Sequence, residues 1–217
     1  MNIKISPSIL SADLCSLGRD IKLTEEAGAD YLHFDVMDGV FVNNISYGIP
    51  VLQSVRKNTD LVLDVHLMIT EPHRFIKAFA DSGADIITFH SEAESDIEGT
   101  VKLIRECGKK AAVAIKPATP VESIYKYIND VDMILIMTVE PGFGGQGFIY
   151  ETVDKISALR KYAESRGIDL DIQVDGGINA ETADIVRKAG ANVLVAGSYF
   201  YKAADKEKAV GILRGNV

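Results

Sequence analysis

The stretch Gly28-Ala29-Asp30-Tyr31-Leu32-His33-Phe34-Asp35-Val36 decides the fold. It follows a helical pattern over residues 16–28, and its glycine is suited to a left-handed helix cap. The nearly continuous apolar residues that follow predict a strand over 31–36 buried on both faces, as in a parallel sheet. The same Gly-Ala-polar step recurs at Gly83-Ala84-Asp85 and Gly190-Ala191-Asn192. The chain therefore repeats a helix-to-strand unit.

This alternation continues along the whole chain. Apolar runs predict strands at 3–9, 31–36, 61–67, 86–90, 111–115, 133–138, 170–174 and 193–196. Helical patterns lie at 16–28, 48–57, 72–82, 95–107, 120–128, 149–166, 179–189 and 205–214. Eight strands, each followed by a helix, predict one (β/α)8 TIM barrel domain over residues 1–217. The alternative is an open doubly wound sheet, but that fold would want a glycine-rich turn where this chain has Ser6-Pro7-Ser8-Ile9-Leu10-Ser11.

The composition limits the partners. The 217 residues are 47% hydrophobic and 25% charged, as in an ordinary globular protein. A net charge of -8 disfavours nucleic acid or an anionic membrane as a partner. Cys15 and Cys107 lack metal-ligand spacing and suit a reducing compartment. The first seven residues lack the apolar segment of a signal peptide, so we expect a cytoplasmic protein.

Histidine and aspartate stand at three of the predicted strand ends, where a barrel houses its chemistry. His33 and Asp35 are two residues apart on a strand, so both should point into the barrel mouth. His66 ends the third strand and Asp175 the seventh. One strand-end histidine would more often be structural, but carboxylates in an apolar mouth need compensation. The four residues predict one divalent ion, with Zn²⁺, Fe²⁺, Mn²⁺ or Co²⁺ favoured over Ca²⁺ or Mg²⁺.

Glycines mark a second feature in the loops after the last three strands. Pro141-Gly142-Phe143-Gly144-Gly145-Gln146-Gly147 lacks the lysine and hydroxyl residue of a nucleotide P-loop. Its glycines, with Gly176-Gly177 and Gly197-Ser198, let backbone amides approach an anion, and these loops of a barrel commonly hold phosphate. No lysine or arginine lies in the three segments, so we expect amides to bind the phosphate. The alternative is that the glycines only form tight turns.

Four further residues lie near the predicted mouth. Met37, Met68 and Met137 sit at or just beyond three strands, where they suit either the lining of a reacting carbon or core packing. Lys116 ends the fifth strand. A lysine there is a possible Schiff-base nucleophile, although a surface cation is the favoured interpretation.

Five motifs in this order together resemble the ribulose-phosphate 3-epimerase family. They are Ser6-Pro7-Ser8-Ile9-Leu10-Ser11-Ala12-Asp13, His33-Phe34-Asp35-Val36-Met37-Asp38-Gly39, Asp64-Val65-His66-Leu67-Met68, Pro141-Gly142-Phe143-Gly144-Gly145-Gln146 and Val174-Asp175-Gly176-Gly177-Ile178. The resemblance runs the length of the chain. It implies a TIM barrel enzyme that interconverts D-ribulose 5-phosphate and D-xylulose 5-phosphate in the pentose phosphate pathway, with one divalent metal ion per subunit. It also favours a homo-oligomer.

The resemblance further implies a role for each matching residue. His33, Asp35, His66 and Asp175 would be the metal ligands. Asp35 and Asp175 would also transfer protons through an enediolate, as acceptor and donor respectively. Substrate contacts would come from Ser8, His66, Gly142, Phe143, Gly144, Gly145, Asp175, Gly176, Gly177, Gly197 and Ser198. Met37, Met68 and Met137 match the methionine pad of the family.

Two departures from the family pattern leave the exact sugar open. The family generally has proline where this chain has Asn43, and small residues where it has Tyr199-Phe200-Tyr201. The nearest alternative is a D-allulose 6-phosphate 3-epimerase. An alternative of another class is a Schiff-base lyase or aldolase that uses Lys116. A third is a sugar phosphate binder without catalysis, which would not require an acid pair.

Overall fold

A computed structural model describes residues 2–216. The eight strands are β1 (Lys4–Ser6), β2 (Tyr31–Met37), β3 (Val62–Met68), β4 (Ile86–His90), β5 (Lys110–Ile115), β6 (Met133–Met137), β7 (Asp171–Asp175) and β8 (Val193–Val195). The α-helices are α1 (Leu17–Glu26), α2 (Ile49–Arg56), α3 (Ile76–Asp81), α4 (Ile97–Glu106), α5 (Thr152–Ser165), α6 (Ala180–Ala189), α7 (Ser198–Tyr201) and α8 (Lys206–Arg214). The elements alternate along the chain as the sequence predicts.

The strands form one parallel sheet that curls into a barrel. Their order is β1-β8-β7-β6-β5-β4-β3-β2. Two backbone hydrogen bonds bring the ends of this order together, because Asp30 N–H donates to Ile5 O and His33 N–H donates to Pro7 O, each at 3.0 Å. The predicted (β/α)8 TIM barrel is therefore confirmed.

The local differences from the sequence prediction lie in the connections. Residues 120–128 do not form an α-helix, since Val121–Tyr127 is a 3-10 helix. The first strand ends at Ser6 rather than at residue 9. Its predicted end instead enters a 3-10 helix at Ile9–Ser11, where the Ser8 side chain accepts a hydrogen bond from Leu10 N–H. The short helix α7 was not predicted.

Strand register determines which side chains share the barrel interior. Between β2 and β3, His33 is paired with Asp64, Asp35 with His66 and Met37 with Met68. Between β6 and β7, Met137 is paired with Asp175. Since side chains alternate along a strand, the residues between these positions, such as fully buried Phe34, face the helices instead. Register thus places the predicted histidines, acids and methionines inside the barrel.

Candidate active site

The structure brings the four predicted metal ligands to one point at the C-terminal end of the barrel. One ligand atom from each of His33, Asp35, His66 and Asp175 lies within 4.8 Å of the others. Both imidazoles are fully buried. The Asp35 side chain is 4% exposed and that of Asp175 is 19% exposed, so Asp175 lies on the side of the mouth.

His33 has one nitrogen in a buried hydrogen-bond network and the other at the cluster. Its Nδ1 lies 2.7 Å from Asp64 Oδ2. The same carboxylate oxygen accepts from Ser6 Oγ at 3.1 Å and from Gln173 Nε2. With Nδ1 donating to Asp64, Nε2 is the nitrogen on the side of the cluster, 3.2 Å from Asp35 Oδ1. This Nε2 is buried and makes no hydrogen bond to any described residue.

His66 has the opposite arrangement of its two nitrogens. Its Nδ1 faces the cluster, 3.0 Å from Asp35 Oδ1 and 4.0 Å from Asp175 Oδ2. Its Nε2 lies 2.9 Å from Nε2 of His90, whose own Nδ1 lies 3.2 Å from Glu92 Oε2. Neither His90 nor Glu92 was predicted as a site residue.

The two carboxyl groups differ in their electrostatics. Burial alone would raise the pKa of Asp35, but the charges and hydrogen bonds of His33 and His66 outweigh burial and lower it. For Asp175, burial and the nearby Asp35 carboxylate raise the pKa to about 6. Burial opposes protonation of His33, yet Asp35 and Asp64 raise its pKa well above the ordinary value. The cluster therefore holds surplus negative charge and favours a positive species at its centre.

The donor set fits a divalent cation. His33 Nε2 is buried beside the Asp35 carboxylate without a hydrogen bond, and a cation at the cluster would give this nitrogen a partner. Two neutral imidazoles and two carboxylates neutralise one 2+ ion, and mixed nitrogen and oxygen donors suit transition metals. The second ring nitrogen of each histidine is hydrogen-bonded, as is usual for metal-binding histidines.

A cavity of about 630 Å³ opens above this cluster. It is lined by both predicted acids, by the three methionines and by every predicted substrate-binding residue except His66. These are Ser8, Asp35, Met37, Met68, Met137, Gly142, Phe143, Gly144, Gly145, Asp175, Gly176, Gly177, Gly197 and Ser198. The methionines are buried, with exposures of 2–4%, and so form an apolar wall beside the acids.

Close packing around two of the glycines explains why they have no side chain, without any need for a ligand. Gly176 has φ +120°, and a Cβ there would lie 2.4 Å from Val139 Cγ2. Gly177 has φ +66°, and its Cβ would lie 2.7 Å from the backbone nitrogen of Phe148. Both positions require glycine for the turn itself, so the tight-turn interpretation holds there alongside any role in anion binding.

The cavity is also lined by two lysines that were not predicted from the sequence as site residues. Lys202 and Lys208 lie beside the glycine loops, on the side of the cavity formed by Gly197 and Ser198. That phosphate is bound mainly by amides stays a prediction, and these lysines add two cations to the lining of the same cavity. Lys202 follows Ser198 by one helical turn, but this spacing is recognisable only once α7 is known.

Lys116 lies away from the cavity. Its Nζ lies 3.9 Å from the centroid of the Phe41 ring, which in turn packs on His90 with ring centroids 4.9 Å apart. Lys116 is not among the described residues that line the cavity. Of the two departures from the family pattern, Tyr199 lines the cavity, whereas Asn43 is exposed and does not.

Comparisons with known proteins agree with this geometry. The profile of the ribulose-phosphate 3 epimerase family matches residues 4–201. Ribulose-phosphate 3-epimerase of Bacillus subtilis (strain 168) is 52% identical over 215 residues, which cover 99% of each chain. The chain belongs to the ribulose-phosphate 3-epimerase family. The Synechocystis enzyme of that name is 46% identical, with 99% of this chain and 94% of the relative covered.

Solved structures of other proteins share the fold at low identity. A 3-hexulose-6-phosphate synthase has a TM-score of 0.69 at 20% identity, with 99% of this chain and 100% of that chain covered. A mutant tryptophan synthase alpha-subunit from Pyrococcus furiosus has a TM-score of 0.70 at 16% identity, with the same coverage. At such identities the likeness concerns the barrel alone. None of the helices within residues 2–216 has the length and apolar character needed to cross a membrane.

Proposed function

We propose that this epimerase interconverts D-ribulose 5-phosphate and D-xylulose 5-phosphate by proton transfer at C3. The observation that carries the proposal is the pair Asp35 and Asp175, which lie on different strands, belong to the candidate metal cluster and line the same cavity. Two acids matched to opposite tasks are what removal and return of one proton require. The relatives named as ribulose-phosphate 3-epimerases support the choice of reaction.

His33, Asp35, His66 and Asp175 would hold one divalent ion, of Zn²⁺, Fe²⁺, Mn²⁺ or Co²⁺. When bound, the ion supplies Lewis-acid polarisation of the substrate carbonyl and stabilises the negative charge of the enediolate by several kcal/mol. The acids hold and move the proton. By the family resemblance, Asp35 would accept the proton from one face of C3 and Asp175 would deliver a proton to the opposite face. In the reverse direction the two roles exchange.

The rest of the cavity would position the substrate. Ser8 Oγ donates to Asp35 Oδ2 at 2.5 Å, which fixes the orientation of that carboxylate. The three methionines cover the reacting carbons with apolar surface and exclude water without competing hydrogen bonds. Amides of the glycine loops would bind the phosphate, and we add Lys202 and Lys208 as the cations that compensate its charge.

The decisive experiment measures turnover of D-ribulose 5-phosphate and of D-allulose 6-phosphate in parallel on metal-reconstituted protein. We expect kcat/KM to be higher for the pentulose; the reverse order would make the chain a hexulose phosphate epimerase. Solvent deuterium should enter C3 during turnover, whereas a protein that only binds sugar phosphates would give no exchange.

We also propose that the enzyme is cytoplasmic and homo-oligomeric, on the strength of the family resemblance and the composition. Light scattering coupled to size-exclusion chromatography would detect a mass above the 23.6 kDa of one chain. A monomeric mass at micromolar concentration would contradict the oligomer.

A further inference from the structure

We propose that Glu92 is a positioning residue of the metal centre, which acts through His90 to keep Nδ1 of His66 free for the ion. The proposal rests on the proposed function, because it takes His66 as a metal ligand. Glu92 lies 2 residues beyond the end of β4 and is not one of the four predicted ligands. It reaches the centre only through the His90 ring.

Both carboxylate oxygens of Glu92 are engaged in fixed hydrogen bonds. Oε2 lies 3.2 Å from His90 Nδ1. Oε1 accepts from the backbone N–H of Lys116 at 2.8 Å and from Thr119 Oγ. The loop that supplies these donors is itself held by Lys155, whose Nζ donates to Thr119 O at 2.6 Å. Glu92 is therefore held in one orientation, and because a carboxylate only accepts, His90 Nδ1, Lys116 N–H and Thr119 Oγ must all donate to it.

The hydrogen positions along the chain of contacts follow from this geometry. A carboxylate accepts, so Nδ1 of His90 must carry the hydrogen that faces Glu92. A neutral His90 then has a lone pair at Nε2, 2.9 Å from Nε2 of His66. That contact is a hydrogen bond only if His66 carries its hydrogen at Nε2. Neutral His66 then has a lone pair at Nδ1, the nitrogen that lies 3.0 Å from Asp35 Oδ1 and 4.0 Å from Asp175 Oδ2. Two acceptors 3.0 Å apart require a cation between them, so this arrangement belongs to the site with its ion bound, whereas Nδ1–H would donate to Asp35 without one.

The surroundings support the charge states that this scheme needs. His90 is fully enclosed and packs against Phe41, with ring centroids 4.9 Å apart. Such complete burial disfavours the charged imidazolium form of His90. Burial would raise the pKa of Glu92, but hydrogen bonds from His90, Thr119 and Lys116 lower it to about 2. A neutral imidazole has one donor nitrogen and one acceptor nitrogen, and a carboxylate only accepts. With these charge states each contact from Glu92 to His66 has one defined donor and one defined acceptor.

The two histidine ligands are thus oriented by different means. His33 donates directly to a buried carboxylate, Asp64. His66 has no carboxylate at its outer nitrogen, and His90 passes the constraint from Glu92 to it. A metal-binding histidine usually donates directly to a carboxylate or carbonyl. At His66 the imidazole ring of His90 lies between the ligand histidine and the carboxylate of Glu92.

The variant Glu92→Gln tests this directly. Its amide has only one oxygen, so it cannot accept from both His90 Nδ1 and the Lys116 backbone N–H as the two carboxylate oxygens do. If its NH₂ group faces His90 Nδ1, the His90 hydrogen moves to Nε2 and opposes the one on His66. If its oxygen faces His90 instead, the NH₂ group opposes the Lys116 backbone N–H, which can only donate. We expect Zn²⁺ affinity, measured by competition with a chromogenic chelator, to fall about 10- to 100-fold, the usual cost of losing such a partner. Glu94→Gln is the matched control, since Glu94 is exposed and its charge change is the same.

A double-mutant cycle separates positioning through His90 from a general effect of charge or stability. In a His90→Phe background, Glu92→Gln should cause no further loss of Zn²⁺ affinity, because the connecting ring nitrogens are gone. An equal loss in both backgrounds would overturn the proposal. Thr119→Val keeps the side-chain volume but removes one donor to Glu92. It should weaken Zn²⁺ binding by a smaller factor, and it provides the test if the His90 variant does not fold.

Failure of this proposal is distinguishable from failure of the metal site itself. The wild-type chain should bind one Zn²⁺ at the four-ligand site, and Asp175→Asn should weaken that binding. If the wild-type chain binds no Zn²⁺ there, or Asp175→Asn binds it equally well, the metal-dependent function is wrong. If both of those expectations hold, but Glu92→Gln binds Zn²⁺ within twofold of wild type or no more weakly than Glu94→Gln, only the role of Glu92 is overturned.

Discussion

Nδ1 of His33 lies 2.7 Å from Oδ2 of Asp64, its register partner on the neighbouring strand, and both residues are fully buried. Asp64 also accepts from Ser6 and Gln173, which belong to β1 and β7. Three strands therefore hold one carboxylate, and that carboxylate determines which nitrogen of His33 faces the candidate metal cluster. The barrel register is in this way part of the metal site.

Asp64→Asn should weaken both the metal site and the fold. An asparagine oxygen in place of Oδ2 can accept from His33, Ser6 and Gln173, but as a weaker acceptor without charge. Its NH₂ group then lies buried at the position of Oδ1, which has no hydrogen-bond partner. We expect Zn²⁺ affinity to fall about 10- to 100-fold and the free energy of unfolding to fall by about 1–3 kcal/mol. Chelator competition and urea unfolding of the metal-free protein measure the two effects. Asp60→Asn, at an exposed acid near the start of β3, should change neither.

Asp175→Asn should abolish epimerisation while the protein stays folded. Asparagine keeps an oxygen near the cluster but cannot deliver a proton at neutral pH. We expect kcat to fall by at least about 10²- to 10⁴-fold, the usual contribution of a positioned acid or base. Turnover of D-ribulose 5-phosphate, with circular dichroism as the check on folding, measures the effect. Turnover near the wild-type rate with metal bound would show that the two-acid scheme is wrong.

Removal of the metal should eliminate turnover without unfolding the barrel, because the core does not depend on the ion. Extensive dialysis against a chelator should abolish activity, and Zn²⁺, Fe²⁺, Mn²⁺ or Co²⁺ should restore it. A metal ion that binds only the folded state should also raise the Tm. Activity that survives chelation, together with trapping of substrate on the protein by borohydride, would favour the Schiff-base alternative through Lys116.

The sequence predicts the ligands but not their supporting partners, and the reason is physical. His33, Asp35, His66 and Asp175 are recognisable because the ends of barrel strands converge. Asp64 was visible in the same motif as His66, yet its role depends on strand register, which alternation alone does not specify. His90 stands at a strand end like the ligands do. Its role depends on which nitrogen of His66 faces inward, and only coordinates determine that.

The loops were less predictable than the barrel for a similar reason. Short apolar runs specify buried parallel strands well, so all eight strands were found. Residues 120–128 have a helical pattern but form a 3-10 helix. The contribution of Lys202 depends on the short helix α7, which has too few residues to show a periodic pattern. Connections are set by contacts distant in sequence, and these are also the parts that complete the cavity.

Gly176→Ala should impair the phosphate side of the cavity. The residue has φ +120°, and its Cβ would meet the branched Val139 side chain at 2.4 Å, so the loop must move. We expect KM for the sugar phosphate to rise because this loop would bind the phosphate, and kcat to fall as well because the proposed proton donor Asp175 directly precedes Gly176. Gly28→Ala is the control, since Gly28 has φ +75° with open space around its Cβ position and lies far from the cavity in the α1–β2 connection. It should lower stability by about 1 kcal/mol and leave both kinetic constants unchanged. Equal kinetic effects of the two variants would contradict a local role for Gly176.

Asp38 should make stability depend on pH, because its carboxylate joins two loops at the barrel mouth. It accepts from Val40 and Phe41 N–H at 2.8 Å and from Thr70 N–H at 2.7 Å. Burial would raise its pKa, but these hydrogen bonds outweigh burial and lower it. A lowered pKa in the folded state means that the stabilisation is complete above the unfolded pKa, near 4, and is lost as the pH falls through the folded value.

The variant Asp38→Asn tests this contribution. It places an NH₂ group against one set of donors, so it should lower the free energy of unfolding by about 1–2 kcal/mol at pH 7. That difference from wild type should shrink as urea unfolding is repeated towards pH 3, while Asp169→Asn, at an exposed acid, should show almost no cost at either pH. A cost for Asp38→Asn that stays constant between pH 7 and pH 3 would mean that the carboxylate charge does not hold the two loops together.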